Sequence, residues 1–419
     1  MTTSKTKTLL NNLGPGLLFA CMAIGTSHLV LSTKAGAQYG FIMIIPIILA
    51  NVFKYPFFEF GIRYTNITNK TLIEGYLNRG SSYLWFYTII TLTTIFTILA
   101  ALYTVTAGLF INLFQILELN IIKVSLGLFI LISGLLIIGK YKLLELSLKL
   151  IVSILFFALI ITTVLVIFNG KVPYATNFVS PTIFNEAGIL FLIGLMGWMP
   201  TTVEASSWVS LWSIEKFKIT ANKPSLKEAL LEFKVGYFLT AIFAVFFLII
   251  GWMTLYGTNT ILSNSAIVFA DQLVNLFTTN IGAWAYLLIA IAAFSTMFST
   301  CITAHDALAR VSIDIIHLIS PKINKKRQKN FYPYAILILT IINFIVISVF
   351  SANMGQLIAI ATFISFVVAP FIGYMNYKNV MSDEIPIQNR PKKGLLFLTF
   401  MGIIFLSLFS IYYFYIVLF

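Results

Sequence analysis

Long apolar segments separated by short polar connectors repeat along the whole chain. Eleven of them are long enough to cross a bilayer as a helix, which takes about 20 residues. None alternates at every second residue, as the strands of a porin-type barrel would, so the pattern predicts an all-α, polytopic membrane protein. The expected spans are residues 14–33, 41–60, 83–110, 121–139, 143–168, 186–212, 235–256, 281–303, 332–351, 356–377 and 395–418.

Composition supports this prediction. Of the 419 residues, 59% are hydrophobic and 10% are charged, against about 25% charged in a soluble domain, which excludes a water-soluble enzyme. The longest polar stretches, 213–234 and 304–331, have the length of connectors, so we expect one transmembrane domain over residues 1–419. The two cysteines, Cys21 and Cys301, lie in apolar segments and predict no disulfide scaffold. The first segment lacks a cleavage site of small residues, so we interpret it as a span and not as a removed signal peptide.

The basic residues indicate how the chain is oriented. Lys and Arg number 27 against 14 Asp and Glu, and with a cytoplasmic N-terminus 23 of the 27 fall on the inner side. The positive-inside rule therefore predicts a multi-pass protein of the inner or plasma membrane, with the N-terminus cytoplasmic and the C-terminus outside. The net charge of +13 is thereby explained by topology and by contact with the anionic lipid bilayer. No nucleic-acid-binding motif accompanies it, so no nucleic acid is expected as a partner.

Two spans carry helix-breaking residues near their centres. The first contains Gly25 followed by polar residues, and the sixth contains Gly194, Gly197 and Pro200. Gly and Pro weaken a helix, and unwound backbone at membrane depth is tolerated only where it faces protein, a ligand or a cavity. Paired interruptions in the two halves of a chain favour a transport site. The residues expected to form it are Gly25, Thr26, Ser27, His28, Met196, Met199, Thr201, Thr202 and Glu204.

The chain resembles the Nramp family of divalent metal transporters over nearly its whole length. The resemblance rests on Gly14-Pro15-Gly16 and residues 35–41 in the first span, residues 49–51 and 65–68 in the second, Met199-Pro200 in the sixth, and residues 361–366 with Ala369-Pro370 in the tenth. It implies a leucine-transporter-like fold, a five-plus-five inverted repeat in which helices 1 and 6 are broken. The first repeat would cover 14–168, the second 186–377, and 395–418 would be an additional helix.

The chain departs from the family where substrate chemistry is decided. The family's metal-coordinating Asp-Pro-Gly-Asn is replaced by residues 25–28, so that Gly25 stands for the Asp and His28 for the Asn. In the sixth span, Thr201 and Ser206 occupy the positions of the family's two histidines, and the backbone-carbonyl ligand would fall at Met196. The third span has no acidic residue and the ninth no basic one, where the family's proton route uses such groups.

The remaining donors leave two substrates open. His28 and Met199 are predicted metal ligands, because an imidazole and a thioether suit transition metals better than Mg²⁺ or Ca²⁺. The resemblance thus implies a divalent metal ion of the Mn/Fe class, with protons as the coupling ion. A divalent ion without a carboxylate is costly to desolvate, so a small organic or zwitterionic solute is the alternative. Glu204 is the acid expected to replace the lost Asp as cation ligand or proton carrier, or else to be held by hydroxyls such as that of Ser207.

Other ionisable residues in the spans have structural interpretations. Glu59 is expected to pair with Arg63 at i,i+4, and Asp306 with Arg310, as an anchor or gate at the inner end of a helix. Lys54 in the second span is expected to snorkel. Asn51, Gln356 and Ser365 are weaker lining candidates, and His305 adjoins Asp306.

Other classes of protein find less support. Ser27, His28 and Asp306 supply the residue types of a hydrolytic triad, but no Gly-x-Ser-x-Gly elbow accompanies them, so an intramembrane enzyme is a remote alternative. Nothing indicates the rings of like groups that line a channel, and a scaffold would not need two broken spans. No nucleotide-binding or cofactor motif is present, so we predict a secondary-active transporter without a cofactor.

Overall fold

The computed structural model describes residues 15–116, 118–138, 141–220, 223–320, 331–350 and 353–418, and this part of the chain is helical and has no strand. The all-α prediction is therefore confirmed. The helices are α1 Pro15–Ala23, α2 Thr33–Tyr39, α3 Ile44–Thr68, α4 Leu72–Arg79, α5 Ser81–Ile95, α6 Ile98–Phe114, α7 Ile121–Ile138, α8 Tyr141–Asn169, α9 Glu186–Gly197, α10 Ala205–Thr220, α11 Leu226–Leu255, α12 Ala266–Ile281, α13 Tyr286–Ile319, α14 Tyr332–Val349, α15 Met354–Val380 and α16 Lys393–Leu418.

Eight helical segments of the described residues are long and apolar enough to cross a membrane. The first and sixth expected spans are absent from that set because each is divided, into α1 and α2 and into α9 and α10. The fifth expected span corresponds to α8. The eight segments are Phe41–Thr68, Ser81–Phe114, Ile121–Ile138, Leu226–Leu255, Ala283–Ile319, Tyr332–Val349, Met354–Val380 and Lys393–Ile416.

The outward-facing side chains of these helices are apolar. Large hydrophobic residues on several helices are more than half exposed, which in a bilayer corresponds to contact with lipid rather than with water. Examples from five helices are Ile130, Phe157, Phe238, Ile341 and Phe397. The surface therefore agrees with the multi-pass membrane protein that hydropathy predicts.

The structure corrects the expected connectors. The eighth span does not end at residue 303, since α13 continues as helix to Ile319, so the first half of the predicted 304–331 connector is helical. Its charges are tolerated because they are paired, with Arg310 Nε donating to Asp306 Oδ2 at 2.8 Å. In the predicted 213–234 connector, α10 extends to Thr220 and α11 begins at Leu226. Two further helices that hydropathy did not indicate, α4 and α12, lie between spans.

Helix α11 packs along the whole divided first span through backbone contacts at glycines. A Cβ on Gly36 would lie 2.0 Å from the carbonyl oxygen of Leu248, and a Cβ on Gly251 would lie 2.3 Å from that of Thr33. Near the other end, a Cβ on Gly236 would lie 2.3 Å from the carbonyl oxygen of Gly16. Small residues allow such close approach between helices in a membrane, so α11 supports the first span on both sides of its break.

One turn between α15 and α16 is tied to the connector that follows α3. Glu384 accepts from Lys70 Nζ at 2.5 Å, from Tyr64 at 2.7 Å and from Arg79 at 3.0 Å. The capping box of Thr71 and Glu74 starts α4 between these basic residues. These contacts place the second–third and tenth–eleventh connectors at the same end of the molecule, as the distribution of basic residues predicts. The i,i+4 pair of Glu59 and Arg63 is also confirmed, at 2.5 Å.

Replacing Gly251 by Leu tests the close packing of α11. We expect the variant to lose about 1–3 kcal/mol of stability, because the added side chain cannot fit against the backbone of Thr33. Thermal unfolding of the detergent-solubilised protein would measure the loss. Gly127→Leu is the matched control, since nothing lies within 4 Å of a Cβ on Gly127; an equal fall in Tm for both variants would contradict the packing argument.

The Glu384 cluster predicts a pH dependence. Burial raises the pKa of the Glu384 carboxyl, but hydrogen bonds from Lys70 and Tyr64 and the charges of Lys70 and Arg79 outweigh it, so that this pKa lies below its usual 4.5. A lowered pKa contributes stability that is present above pH 4.5 and is lost as the pH falls through the folded-state value. We expect Glu384→Gln to lower Tm at pH 7 and the difference from wild type to shrink below pH 4.5. Fully exposed Asp383 gives the control: Asp383→Asn should leave Tm unchanged throughout.

Candidate transport site

The two breaks predicted in the first and sixth spans face each other. Helix α1 ends at Ala23, and a π-helical turn, Ser27–Ser32, leads into α2. Helix α9 ends at Gly197, and the chain becomes helical again only at Ala205. Ser27 Oγ lies 3.2 Å from the carbonyl oxygen of Pro200, so the unwound segments are in direct contact.

The backbone shape at these breaks follows from local sequence. Gly25 lets the first span pass α13 closely, since a Cβ there would lie 2.9 Å from the side chain of Thr300. Thr300 Oγ1 lies 3.2 Å from the carbonyl oxygen of Cys21, close to the end of α1, and 3.1 Å from that of Thr296 on its own helix. In the sixth span, Pro200 has no N–H to donate to the helix. Polar side chains of neighbouring helices thus replace missing helical hydrogen bonds, as a bilayer requires.

A small cavity lies between the breaks. Its volume is about 30 Å³, enough for a water molecule or a single ion. Hydroxyl groups, one thioether and two indole rings face it, together with apolar side chains. The lining residues are Met22, Ala23, Thr26, Ser27, Ile98, Leu102, Trp198, Thr201, Thr202, Trp208, Thr300 and Ala304.

Four of the nine predicted site residues, the hydroxyl-bearing ones, line this cavity. Thr26 and Ser27 come from the first break and Thr201 and Thr202 from the sixth. Thr201 Oγ1 lies 3.8 Å from the sulfur of Met22. The broken backbone therefore brings together side chains that are about 175 residues apart in sequence.

His28 does not face the cavity. The imidazole is fully buried, with Nε2 3.0 Å from the carbonyl oxygen of Thr240 on α11 and Nδ1 2.7 Å from Ser27 Oγ. A carbonyl can only accept, so Nε2 carries the proton and, in the neutral ring, Nδ1 is an acceptor that faces the Ser27 hydroxyl. The single Ser27 proton also has the carbonyl oxygens of Ala23 and Pro200 within reach, at 3.1 and 3.2 Å. Nε2 therefore has no lone pair for a metal ion, and Nδ1 is covered by Ser27 Oγ at 2.7 Å. The geometry gives His28 the role of anchoring the first break to α11.

Met199 is also placed differently from the sequence expectation. It is fully buried but is not among the described residues that line the cavity. Met22 supplies a thioether there instead, and Met297 accepts from Thr26 Oγ1 at 3.9 Å. The sequence does not indicate that Met22 lines a cavity, because a methionine in an apolar segment most often fills space in the core.

Glu204 lies one hydrogen bond away from the cavity. Thr202 donates to one of its carboxyl oxygens at 2.5 Å, and Thr94 of α5 donates to the other at 2.8 Å. The side chain is buried, and none of the ion pairs of the described residues includes it. Ser207 donates to the Glu204 backbone carbonyl at 2.7 Å and is hydrogen-bonded to Tyr87. The carboxyl group is therefore held by the hydroxyls of Thr202 and Thr94, not by that of Ser207, and is connected to the cavity through Thr202.

Lys54 contradicts the prediction that it snorkels. The side chain is fully buried, and its ammonium nitrogen lies 2.5 Å from the carbonyl oxygen of Met196, 2.8 Å from that of Gly197 and 3.5 Å from that of Thr201. Snorkelling requires a nearby membrane surface, whereas the break in the sixth span offers acceptors at depth. The Met196 carbonyl, which the resemblance assigns to the metal, therefore binds the Lys54 ammonium.

The cluster at Asp306 joins three helices. Besides Arg310, Asp306 accepts from Trp212 Nε1 of α10 at 2.9 Å and from Tyr332 OH of α14 at 2.6 Å. His305 lies beside it and is bound to Tyr103 at 2.9 Å. The expected i,i+4 pair is confirmed and is extended into an anchor for the helix that follows the sixth break.

The weaker lining candidates lie outside the cavity. Ser365 accepts from the indole N–H of Trp198 at 3.0 Å and so fixes a ring that does line it. Asn51 donates to the carbonyl oxygen of Ile47 at 2.8 Å, and Gln356 is exposed near the start of α15.

The donors around the cavity differ from a metal centre made of charged ligands. Within the described residues, no group of three or more His, Cys, Asp or Glu side chains is placed to hold a metal ion. A cation in the cavity would instead meet hydroxyls and the Met22 thioether, with the Glu204 carboxyl behind Thr202.

Residues 16–415 match the Nramp family, described as natural resistance-associated macrophage protein-like. The chain belongs to the Nramp family. An uncharacterized protein of Pasteurella multocida is 35% identical over 412 residues, which cover 95% of this chain and 90% of that protein. The match confirms the resemblance seen in the sequence and identifies a membrane transporter.

Solved structures share the fold. A crystal structure of a manganese transporter mutant from Eremococcus coleocola superposes with a TM-score of 0.71 at 15% identity, covering 96% of this chain and 86% of that one. A nucleobase-cation-symport-1 family transporter, solved in a closed conformation with bromovinylhydantoin bound, gives a TM-score of 0.60 at 12% identity, covering 95% and 91%. The leucine-transporter-like architecture with broken helices 1 and 6 is thereby confirmed.

Substituting His28 and Met22 separates anchoring from ligand binding. We expect His28→Leu to lower the free energy of unfolding by about 1–3 kcal/mol, because Thr240 and Ser27 lose their partner, and to leave the Kd for Co²⁺ within about twofold. Met22→Leu should weaken Co²⁺ binding about tenfold, equivalent to about 1.4 kcal/mol, with little loss of stability. Titration calorimetry measures the Kd for Co²⁺, and thermal unfolding measures stability. Weaker Co²⁺ binding in His28→Leu, together with unchanged binding in Met22→Leu, would show that His28 is a metal ligand after all.

Proposed function

We propose that this Nramp-family protein moves a divalent transition metal ion across the membrane by alternating access around the two breaks. The main observation in support of this proposal is the size of the cavity. At about 30 Å³ it accommodates one ion, whereas pockets for small organic molecules measure roughly 300–1,000 Å³. The small organic or zwitterionic solute that the sequence left open finds no matching space between the breaks.

The donor set supports a transition metal within that class. The Met22 thioether favours a softer ion than Mg²⁺ or Ca²⁺, which take only oxygen ligands. The hydroxyls of Thr26, Thr201 and Thr202 supply neutral oxygen donors. Manganese or iron is the cargo that family membership supports, and the Eremococcus coleocola protein of the same fold is a manganese transporter by name.

Glu204 is the group we assign to charge balance. A divalent ion between two helix breaks is poorly solvated, and a nearby carboxylate lowers that cost. Glu204 is hydrogen-bonded to Thr202 at the cavity and to Thr94 on α5. A movement of the sixth break or of α5 would therefore change the surroundings of its carboxyl group. Protons are the coupling ion that the resemblance implies, and Glu204 is the carboxyl group we propose to carry them.

The proposed orientation has a cytoplasmic N-terminus and an external C-terminus, in the inner or plasma membrane. Its support is the uneven distribution of Lys and Arg, together with the contacts of Lys70 and Arg79 with Glu384, which join two connectors assigned to the inner side. The five-plus-five division at residues 168 and 186 is likewise proposed on the resemblance.

The hydrolytic alternative finds no support in the geometry. His28 Nε2 is bound to the Thr240 carbonyl, and Asp306 is bound to Arg310, Trp212 and Tyr332. Ser27, His28 and Asp306 therefore do not form a chain of nucleophile, base and orienting acid.

Mn²⁺ flux into proteoliposomes tests the function. We expect saturable uptake by wild type and at least a tenfold loss in Glu204→Gln, because the amide keeps the shape but not the charge; tenfold corresponds to about 1.4 kcal/mol. Glu118→Gln, at an exposed position, should transport like wild type. Failure of wild type to take up Mn²⁺, Fe²⁺ and Co²⁺ in the same vesicles would overturn the metal proposal.

A further inference from the structure

Lys54 is a buried cation without a carboxylate partner among the described residues. It lies on α3, is fully buried, and none of the ion pairs in the described part of the chain includes it. A buried charge is strongly unfavourable unless other groups solvate it. Its only recorded hydrogen bonds among these residues go to the carbonyl oxygens of Met196, Gly197 and Thr201.

These three carbonyls form a cradle with negative character. Met196 and Gly197 lie in the last turn of α9, where the aligned peptide dipoles amount to about half a negative charge. The Thr201 carbonyl comes from the break beyond the helix, and the Met196 oxygen also accepts from the Met199 N–H at 3.4 Å. Helix α9 ends at Gly197 and Pro200 follows, so the helical ladder cannot continue through the break. An ammonium group has three donors and no acceptor, which matches three carbonyl oxygens.

We infer that this cradle is a binding site for a small monovalent cation, such as potassium or ammonium, and that the tethered ammonium of Lys54 permanently fills it. Lys54 thereby solvates the end of α9, ties α3 to the sixth break and holds the Met196 carbonyl away from the transported ion. The inference concerns the cradle and does not depend on which ion is transported.

Removing the side chain should expose the vacant cradle to ions from solution. We expect Lys54→Ala to have a Tm several degrees below wild type in choline chloride, because choline is too large to enter. KCl or NH₄Cl at equal ionic strength should recover the Tm of Lys54→Ala in a saturable manner. Wild type should show the same Tm in all three salts. Thermal unfolding of the purified protein in detergent measures each value.

Two further variants separate charge from space. Lys54→Met fills the volume without a charge, so its Tm should be low and should not respond to KCl. Lys34→Ala is the matched control, since Lys34 is also buried but donates to the side chain of Asn264 at 2.8 Å. That amide is not a carbonyl cradle at a helix end, so KCl should not change the Tm of Lys34→Ala.

Three results would overturn the inference. These are a Lys54→Ala protein as stable as wild type in choline, a KCl response equal to that of Lys34→Ala, and recovery of Lys54→Met by KCl. If Lys54→Ala does not survive purification in choline, it is purified in NH₄Cl and then exchanged into choline during size-exclusion chromatography. Loss of the monodisperse peak on exchange supports the cradle, and an unchanged peak contradicts it.

Discussion

A helix that unwinds inside a bilayer must find new partners for its backbone, and this constraint organises the centre of the molecule. Water cannot solvate free N–H and C=O groups at that depth, so side chains of neighbouring helices do so. Thr300 of α13 reaches the carbonyl of Cys21 beside the first break, and the Lys54 ammonium binds carbonyls at the sixth. Both breaks are thereby fixed to helices that stay continuous.

The same partners decide what the cavity can hold. Because Lys54 and His28 are turned towards carbonyl oxygens, neither this ammonium group nor this imidazole faces the cavity. The cavity retains hydroxyls, a thioether and an indirect link to Glu204. Gly25 stands where the resemblance places the family's aspartate, and Glu204 is separated from the cavity by the Thr202 hydroxyl. A cation bound there would rely on neutral donors and on the more distant Glu204 charge.

Helix α11 provides the rigid side of this arrangement. Glycines at Gly236 and Gly251 bring its backbone against both halves of the first span, and the Thr240 carbonyl between them receives His28. The break is therefore flanked by two tight contacts and one hydrogen bond to the same helix. Movement in the first span during alternating access must either carry α11 along or open these contacts.

Much of this architecture could be predicted from local sequence. The breaks at Gly25 and Pro200 follow from the weak helix propensity of these residues, and the pairs Glu59–Arg63 and Asp306–Arg310 follow from i,i+4 spacing, which brings side chains together on any helix. Such features depend on near neighbours in the chain. The helical extension of α13 beyond residue 303 could not be predicted in this way. A hydropathy profile lowers its value at every charged residue, whether or not that residue is paired in the fold.

The sequence by itself determined the all-helical membrane fold, the two broken spans, and four of the five hydroxyl residues around the cavity. Only the tertiary structure decided that His28 faces Thr240, that Met22 and not Met199 lines the cavity, and that Lys54 binds carbonyls 142 to 147 residues away in the chain. The reason is geometric: where a helix unwinds, the 3.6-residue period no longer predicts side-chain direction. Which distant backbone group satisfies a buried charge then depends on how the helices pack.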